Sequence, residues 1–129
     1  MDFAENYLLN CPPEDSVSPD LKVFYLVEND PPVPKDFLPR KSRIPNARYH
    51  NSSSECQAYG LSVFTDIKGI ELLKNAVRNM RNLKTAVASL PPDSGLIKNT
   101  PAANSGDSHH TWWVEKDFKP SDIFIVIDS

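Results

Sequence analysis

Apolar residues recur at steps of three and four between residues 65 and 82. This spacing places their side chains on one face of an α-helix. They are Ile67, Ile70, Leu73, Val77 and Met80. Thr65 or Asp66 can cap the first free N–H groups of such a helix. The opposite face carries basic residues at the same spacing, namely Lys74, Arg78 and Arg81. The pattern predicts a main helix at about 65–82, with its apolar face on the core and its positive face outward.

Four other segments are rich in β-branched and aromatic residues, which favours strands. They lie near 21–28, 85–90, 110–115 and 123–128. The first and last have apolar side chains on both faces, so both are expected inside the sheet. Residues 83–90 also continue the helical spacing, and helix or strand stays open there. Together these elements predict an α+β fold, with one domain and a mixed or antiparallel sheet packed against the main helix.

Residues 29–48 contain five prolines. Proline fixes φ and has no N–H to donate, so this stretch is predicted to be an extended surface segment. Phe37 and Leu38 are expected to pin it to the body of the domain. Residues 52–55 offer caps for a short helix, and residues 61–64 form either its continuation or a strand. One or two short helices are therefore expected beside the main one.

The composition is that of an ordinary soluble domain, with 40% hydrophobic and 24% charged residues. No run approaches the roughly 18 apolar residues of a membrane helix. The acidic N-terminus lacks a basic region followed by an apolar one, so no signal peptide is expected. Cys11 and Cys56 are too few for a disulfide framework or a four-thiolate zinc site. We therefore expect a cytoplasmic protein that does not bind membranes, with Cys56 as a buried, inert thiol.

The formal net charge of −3 is unevenly distributed. The balance is −6 over residues 1–36, +6 over 37–100 and −3 over 101–129. The candidate binding residues of the basic part are Arg40, Lys41, Arg43, Arg48, Tyr49, Arg78 and Arg81. Arginine makes bidentate contacts with phosphate or carboxylate, and tyrosine can stack on a base. An anionic ligand or nucleic acid is thus a predicted partner, although an isoelectric point near 5.5 favours a solvated or internally paired surface.

A second cluster of interest lies along the strand predicted at 110–115 and includes the residue just before it. Neighbouring strand residues point to opposite faces, so His109, Trp113 and Glu115 share one face and His110 takes the other. His109, His110 and Glu115 are weak catalytic candidates, and Trp113 is a candidate for stacking. The alternative is that one of these faces is simply core. Because no metal-ligand spacing or glycine-rich phosphate loop is present, neither a metal site nor a cofactor is predicted.

These patterns favour a non-catalytic binding or accessory module with a protein partner. Two alternatives stay open. One is a small enzyme for a phosphorylated or nucleotide-like substrate, with a histidine acid/base and an arginine clamp. The other is nucleic-acid binding through the basic middle segment. The enzyme alternative requires a histidine within hydrogen-bond reach of a carboxylate in a pocket that Arg43 or Arg48 also faces. The oligomeric state does not follow from the sequence.

Overall fold

The computed structural model describes residues 1–4 and 7–127, and this part of the chain contains six strands and three helices. The strands are β1 (Leu21–Val27), β2 (Leu61–Phe64), β3 (Lys84–Leu90), β4 (Gly95–Asn99), β5 (His109–Val114) and β6 (Ile125–Val126). The helices are α1 (Arg40–Arg43), α2 (Ser52–Ala58) and α3 (Ile67–Ala76). Turns of 3₁₀ helix lie at Pro34–Phe37, Arg78–Met80, Pro92–Ser94 and Pro120–Asp122. In the described residues, no helix has the length and apolar character needed to cross a membrane.

The six strands form one antiparallel sheet in the order β4-β5-β2-β1-β3-β6. β1 lies inside the sheet, where Phe24 is opposite Phe64 of β2 and Val87 of β3. This position covers both of its apolar faces, as predicted. The predicted α+β class is confirmed, and residues 84–90 form a strand.

Alternation along the strands gives the sheet two faces, which we name after adjacent residues of β5. Both tryptophans are fully buried. The Trp112 face carries a single apolar cluster that includes Val23, Val27, Leu61, Val63, Ala86, Ala88, Leu90 and Ile97. The Trp113 face carries two smaller clusters. One joins Phe24 and Phe64 to Ile70 of α3, and the other joins Trp113 to Cys56 and Tyr59.

The main helix is shorter than predicted. It begins after Asp66, whose carboxylate accepts a hydrogen bond from the Lys68 N–H at 2.9 Å. It ends at Ala76, because Val77 adopts an extended conformation (φ −120°, ψ 109°). Val77 is β-branched and lies between Asn75 and Asn79, and both residue types have low helix propensity, which favours such an end. The predicted apolar stripe is only partly buried, since Ile70 is covered whereas Ile67 is exposed.

The last strand differs most from the expectation. The 3₁₀ turn at Pro120–Asp122 holds the N–H groups of Ile123 and Phe124 on the Pro120 carbonyl at 3.1 and 3.2 Å. Only Ile125–Val126 remains free to pair with β3, and Ile125 is 64% exposed at the edge of the sheet. The predicted interior position of residues 123–128 is therefore wrong. Asp128, which the prediction included, lies outside the described residues.

The short helix α2 is capped by Asn51, whose side chain accepts a hydrogen bond from the Ser54 N–H at 2.8 Å. Its residue Cys56 forms a disulfide with Cys11, 45 positions earlier. The prediction of a free, inert thiol at Cys56 is therefore wrong. The bond fastens the N-terminal segment against α2 and Trp113.

The proline-rich segment is fixed by one carboxylate. Asp36 accepts hydrogen bonds from the N–H groups of Glu28 and Val33, both at 2.9 Å, and from the side chain of Asn29 at 3.2 Å. These bonds close the segment into a loop, and Phe37 packs into the Trp112-face cluster as predicted. Leu38, the other predicted anchor, is 45% exposed.

Candidate functional site

A groove of about 480 Å³ opens at the end of the sheet where β2 begins and β5 ends. One side is formed by the proline-rich segment, and the other by the turn that follows β5. Its apolar and aromatic lining consists mainly of Tyr7, Phe37, Tyr59, Leu61, Val114 and Phe118. This volume lies within the range of about 300–1,000 Å³ that is typical of binding pockets.

The sheet and its cover fix the position of each wall. Leu61 and Val114 project from the adjacent strands β2 and β5. Phe37 stacks on Tyr25 with ring centroids 5.1 Å apart, and it also contacts Phe124 at 5.3 Å. Phe118 meets the ring of Trp112 edge-on. Because these rings pack on the core, the groove is formed before any ligand arrives.

The N-terminal segment completes the groove through Tyr7. The Tyr7 hydroxyl donates to the Tyr59 carbonyl at 3.1 Å, and the two rings lie 5.0 Å apart. Burial, with the charge of Tyr59 as a second cause, raises the pKa of Tyr7 to about 12. This hydroxyl therefore stays protonated at neutral pH and keeps its hydrogen bond.

Three lysines surround the apolar lining. They are Lys41, Lys116 and Lys119, and Glu115 is the acidic residue that lines the same groove. The Glu115 carboxylate accepts the Asp117 N–H at 2.9 Å, so one of its oxygens is engaged by its own turn. Lys116 lies 4.0 Å from the carboxylate of Asp2, a weak and exposed contact. The exposed ammonium groups of Lys116 and Lys119 therefore form the accessible positive charge of this rim.

Lys41 connects the predicted basic segment with the groove. Its ammonium group forms a salt bridge with Glu55 at 3.0 Å and lies over the rings of Tyr49 and Tyr59. The hydrogen bond to Glu55 is the main cause that raises the pKa of Lys41. Lys41 is thus held in place as a permanent positive charge at the groove wall.

The structure disperses the other predicted binding residues. Arg40, Arg43 and Arg48 are exposed, and the Arg43 Nε donates to the Leu38 carbonyl at 3.2 Å. Arg78 and Arg81 are exposed beyond α3. The two basic groups are held by different helices, because Lys41 is paired with Glu55 of α2, whereas Arg78 and Arg81 follow α3. Anion or nucleic-acid binding by these residues stays a prediction.

The predicted alternation of β5 is found, and it places Trp113 in the core. The Trp113 indole N–H donates to the Cys56 carbonyl at 2.9 Å in the fully buried core, so Trp113 offers no ring for stacking. His110 bonds the Ser108 carbonyl at 2.8 Å. Within the described hydrogen bonds, neither histidine has a carboxylate partner. The arrangement required by the predicted phosphate-directed enzyme is thus missing from these contacts.

His109 instead contacts Ser62 and Thr100, which the sequence did not single out together. Burial is the main cause that lowers the pKa of His109, with the charge of His110 acting in the same direction and the bond to Thr100 acting against them. In the part of the chain that is described, no group of three or more potential ligands is placed to hold a metal.

The groove was missed at the sequence level. Its walls come from residues as distant as Tyr7 and Phe118, and no spacing rule connects them. Of the lining residues, only Lys41 and Glu115 had been named as candidates. Comparisons of this chain with family models, curated proteins and solved structures find no match. Its function is therefore argued from its own residues.

Proposed function

We propose that the protein is a binding module whose groove holds an extended segment of a partner protein. The segment carries an apolar anchor residue with acidic residues on either side of it. A single observation carries this proposal: an apolar, aromatic-lined groove is bordered by three lysines and one engaged carboxylate.

The apolar lining supports the anchor. Buried aromatic and aliphatic contacts at the centre of a small interface supply most of its binding free energy. The groove walls are rings already packed on the core, so little side-chain freedom is lost on binding. An aromatic or long aliphatic side chain of the partner would occupy the space between Phe37 and Phe118.

The lysine rim supports the acidic flanks. Lys116 and Lys119 are exposed beside the groove, and Lys41 is fixed by Glu55. Complementary rim charges select the partner and speed its association more than they raise affinity. An acidic flank would lie along this rim, whereas a basic one would be repelled.

The proposal also includes the cellular compartment in which the protein meets its partner. The cytoplasmic prediction rested in part on the low cysteine count, and the Cys11–Cys56 disulfide removes that part of the argument. Disulfides persist mainly in oxidising environments. We therefore favour an oxidising compartment for the partner encounter. Alkylation of the native protein in its source under thiol-trapping conditions tests this point, because cysteines labelled without reduction would contradict it.

Selection of displayed random peptides on the native protein tests the proposed partner. We expect enrichment of sequences with one apolar anchor flanked by aspartate or glutamate. The double variant Lys116→Glu with Lys119→Glu should lose this preference, and binding of a recovered peptide should weaken about tenfold or more. The matched control is Lys68→Glu with Arg81→Glu, which makes the same charge change at exposed positions away from the groove.

Two results would overturn the proposal. In the first, the native protein and the groove variant recover the same peptides. In the second, the control variant loses as much affinity as the groove variant, which would reduce the effect to net charge. Circular dichroism and the melting temperature of each variant establish that it folds.

A further inference from the structure

Ser62, His109 and Thr100 form a chain of short contacts on the Trp113 face, apart from the groove. The Nε2 atom of His109 lies 3.0 Å from the Ser62 hydroxyl. Its Nδ1 atom lies 2.6 Å from the Thr100 carbonyl oxygen. Ser62 is exposed, whereas Thr100 is buried. The Ser62 hydroxyl thus faces solvent, and the Nε2 atom of His109 lies within hydrogen-bond distance of it.

The strand register brings these residues together. Phe64 of β2 is opposite His109 of β5, and Ser62 is opposite Thr111. Ser62 and His109 are therefore diagonal neighbours on the same face of the sheet. The Phe64 ring meets the imidazole edge-on at 5.3 Å and supports it from one side. The Thr100 hydroxyl is bonded to that of Thr111 at 2.8 Å, which fixes the segment that carries the Thr100 carbonyl.

The contact with the Thr100 carbonyl also sets the tautomer of His109. A carbonyl oxygen only accepts hydrogen bonds, so Nδ1 carries the proton and donates it. Nε2 then has a free lone pair and accepts the hydroxyl proton of Ser62. Burial keeps the pKa of His109 below its ordinary value, and the ring is neutral at neutral pH. A hydroxyl hydrogen-bonded to a neutral imidazole, itself oriented by a third group, is the arrangement of an activated nucleophile.

We propose that Ser62 and His109 are a nucleophile–base pair that transfers acyl groups from simple esters to water. The Ser62 oxygen bonds to the acyl carbon while its proton passes to Nε2 of His109. The ester C–O bond then breaks, and the same proton leaves with the alcohol. Water repeats the sequence on the acyl-serine: it gives its proton to Nε2, releases the acid and returns the proton to Ser62.

The direct test is acetylation by p-nitrophenyl acetate, followed by mass spectrometry of the peptides that contain each serine. Ser89 is the internal control, because it is exposed on β3 and lies on the same face of the sheet. We expect Ser62 to be acetylated about 100-fold faster than Ser89, since a positioned general base contributes roughly 10²–10⁴ in rate. Labelling by a fluorophosphonate should show the same order.

Variants separate this chemistry from background acetylation. Ser62→Ala and His109→Gln should remove the burst of p-nitrophenol, whereas Ser89→Ala should keep it. If His109→Gln does not fold, the comparison of Ser62 with Ser89 in the native protein decides alone. Equal labelling of the two serines, or adducts on lysine side chains alone, would overturn the proposal.

Discussion

The two faces of the sheet bury adjacent tryptophans under different kinds of cover. The Trp113 face is covered by α2, α3 and the N-terminal segment held by the disulfide. The Trp112 face is covered by irregular chain, mainly the loop around Phe37 and the turn that carries Phe118 and Phe124. The helical cover carries the disulfide, whereas the irregular cover leaves the groove between its segments.

This difference explains where each candidate site lies. The groove opens where two irregular segments meet above the end of the sheet, because neither extends a regular surface across it. The Ser62–His109 pair lies on the other face, on the strip of β2 and β5 that carries polar side chains. Strand alternation thus separates an apolar binding surface from a polar one.

The disulfide should give the largest stability effect. Replacing both cysteines, as Cys11→Ser with Cys56→Ser, frees a loop of 45 residues. The chain-entropy relation predicts a loss of about 4 kcal/mol in the free energy of unfolding. Both cysteines line a cavity of about 280 Å³, so reduction of the native protein by dithiothreitol should have the same effect. Urea denaturation of the native, reduced and doubly substituted proteins measures it.

The same change should weaken peptide binding at the groove, because Tyr7 is one of its walls. If reduction leaves both the denaturation midpoint and peptide affinity unchanged, the N-terminal segment is held by its packing alone. The helical cover would then depend on the bond much less than its position suggests.

The two tryptophans allow the faces to be compared directly. Trp113→Phe removes an indole N–H that is bonded to the Cys56 carbonyl, which keeps a second hydrogen bond from the Tyr59 N–H at 3.1 Å. Trp112→Phe removes a buried N–H that has no acceptor among the described residues, so it also removes the cost of leaving that donor unsatisfied. The two substitutions remove a similar apolar area. Trp113→Phe should therefore lower the free energy of unfolding by about 1–3 kcal/mol more than Trp112→Phe does. Equal denaturation midpoints would mean that the bond contributes little.

Local periodicity was enough to predict β1, β5 and the start of α3, whereas residues 83–90, which form β3, stayed open between strand and helix. Each of these elements buries an apolar face whose pattern lies within a few consecutive residues. The end of α3 and the position of β6 were missed for a physical reason. An extended Val77 and the turn at Pro120–Asp122 depend on the chain around them, which a repeating apolar pattern does not describe.

The candidate sites were harder to predict, since they depend on long-range contacts. Ser62 and His109 meet only because of the register between β2 and β5. Cys11 and Cys56 meet only because the N-terminal segment returns to α2. His109 was named as a base from its strand position, but its partners Ser62 and Thr100 follow from the fold and not from spacing.

A smaller effect is expected on the irregular side of the molecule. Asp36→Ala removes the carboxylate that closes the proline-rich loop over Phe37. Loss of a side-chain cap of this kind costs about 0.5–2 kcal/mol. Peptide affinity should fall with it, because Phe37 is a groove wall. Asp66→Ala, which removes the cap of α3, is the matched control and should lower stability without changing affinity. If both variants lost peptide affinity, the loss would follow from lower stability and not from the position of Phe37 in the groove.

The smallest effect should be a pH dependence that arises from His109 on the polar strip. Burial lowers the pKa of His109 from its ordinary 6.5 in the folded state. Below about pH 6.5 the unfolded chain therefore binds this proton more readily than the folded one, and stability rises with pH. The contribution is complete above that pH and is lost as the pH falls through the folded pKa.

Melting temperatures of the native protein and His109→Gln, measured between about pH 7.5 and 5, isolate this contribution. All other titrating groups are shared by the two proteins, so their curves should converge as the pH falls. If the two plots of melting temperature against pH were parallel, the His109 imidazole would take up its proton equally in the folded and unfolded states. The ring would then be too well solvated to stay neutral beside Ser62, and the polar strip would lose the property on which its proposed chemistry depends.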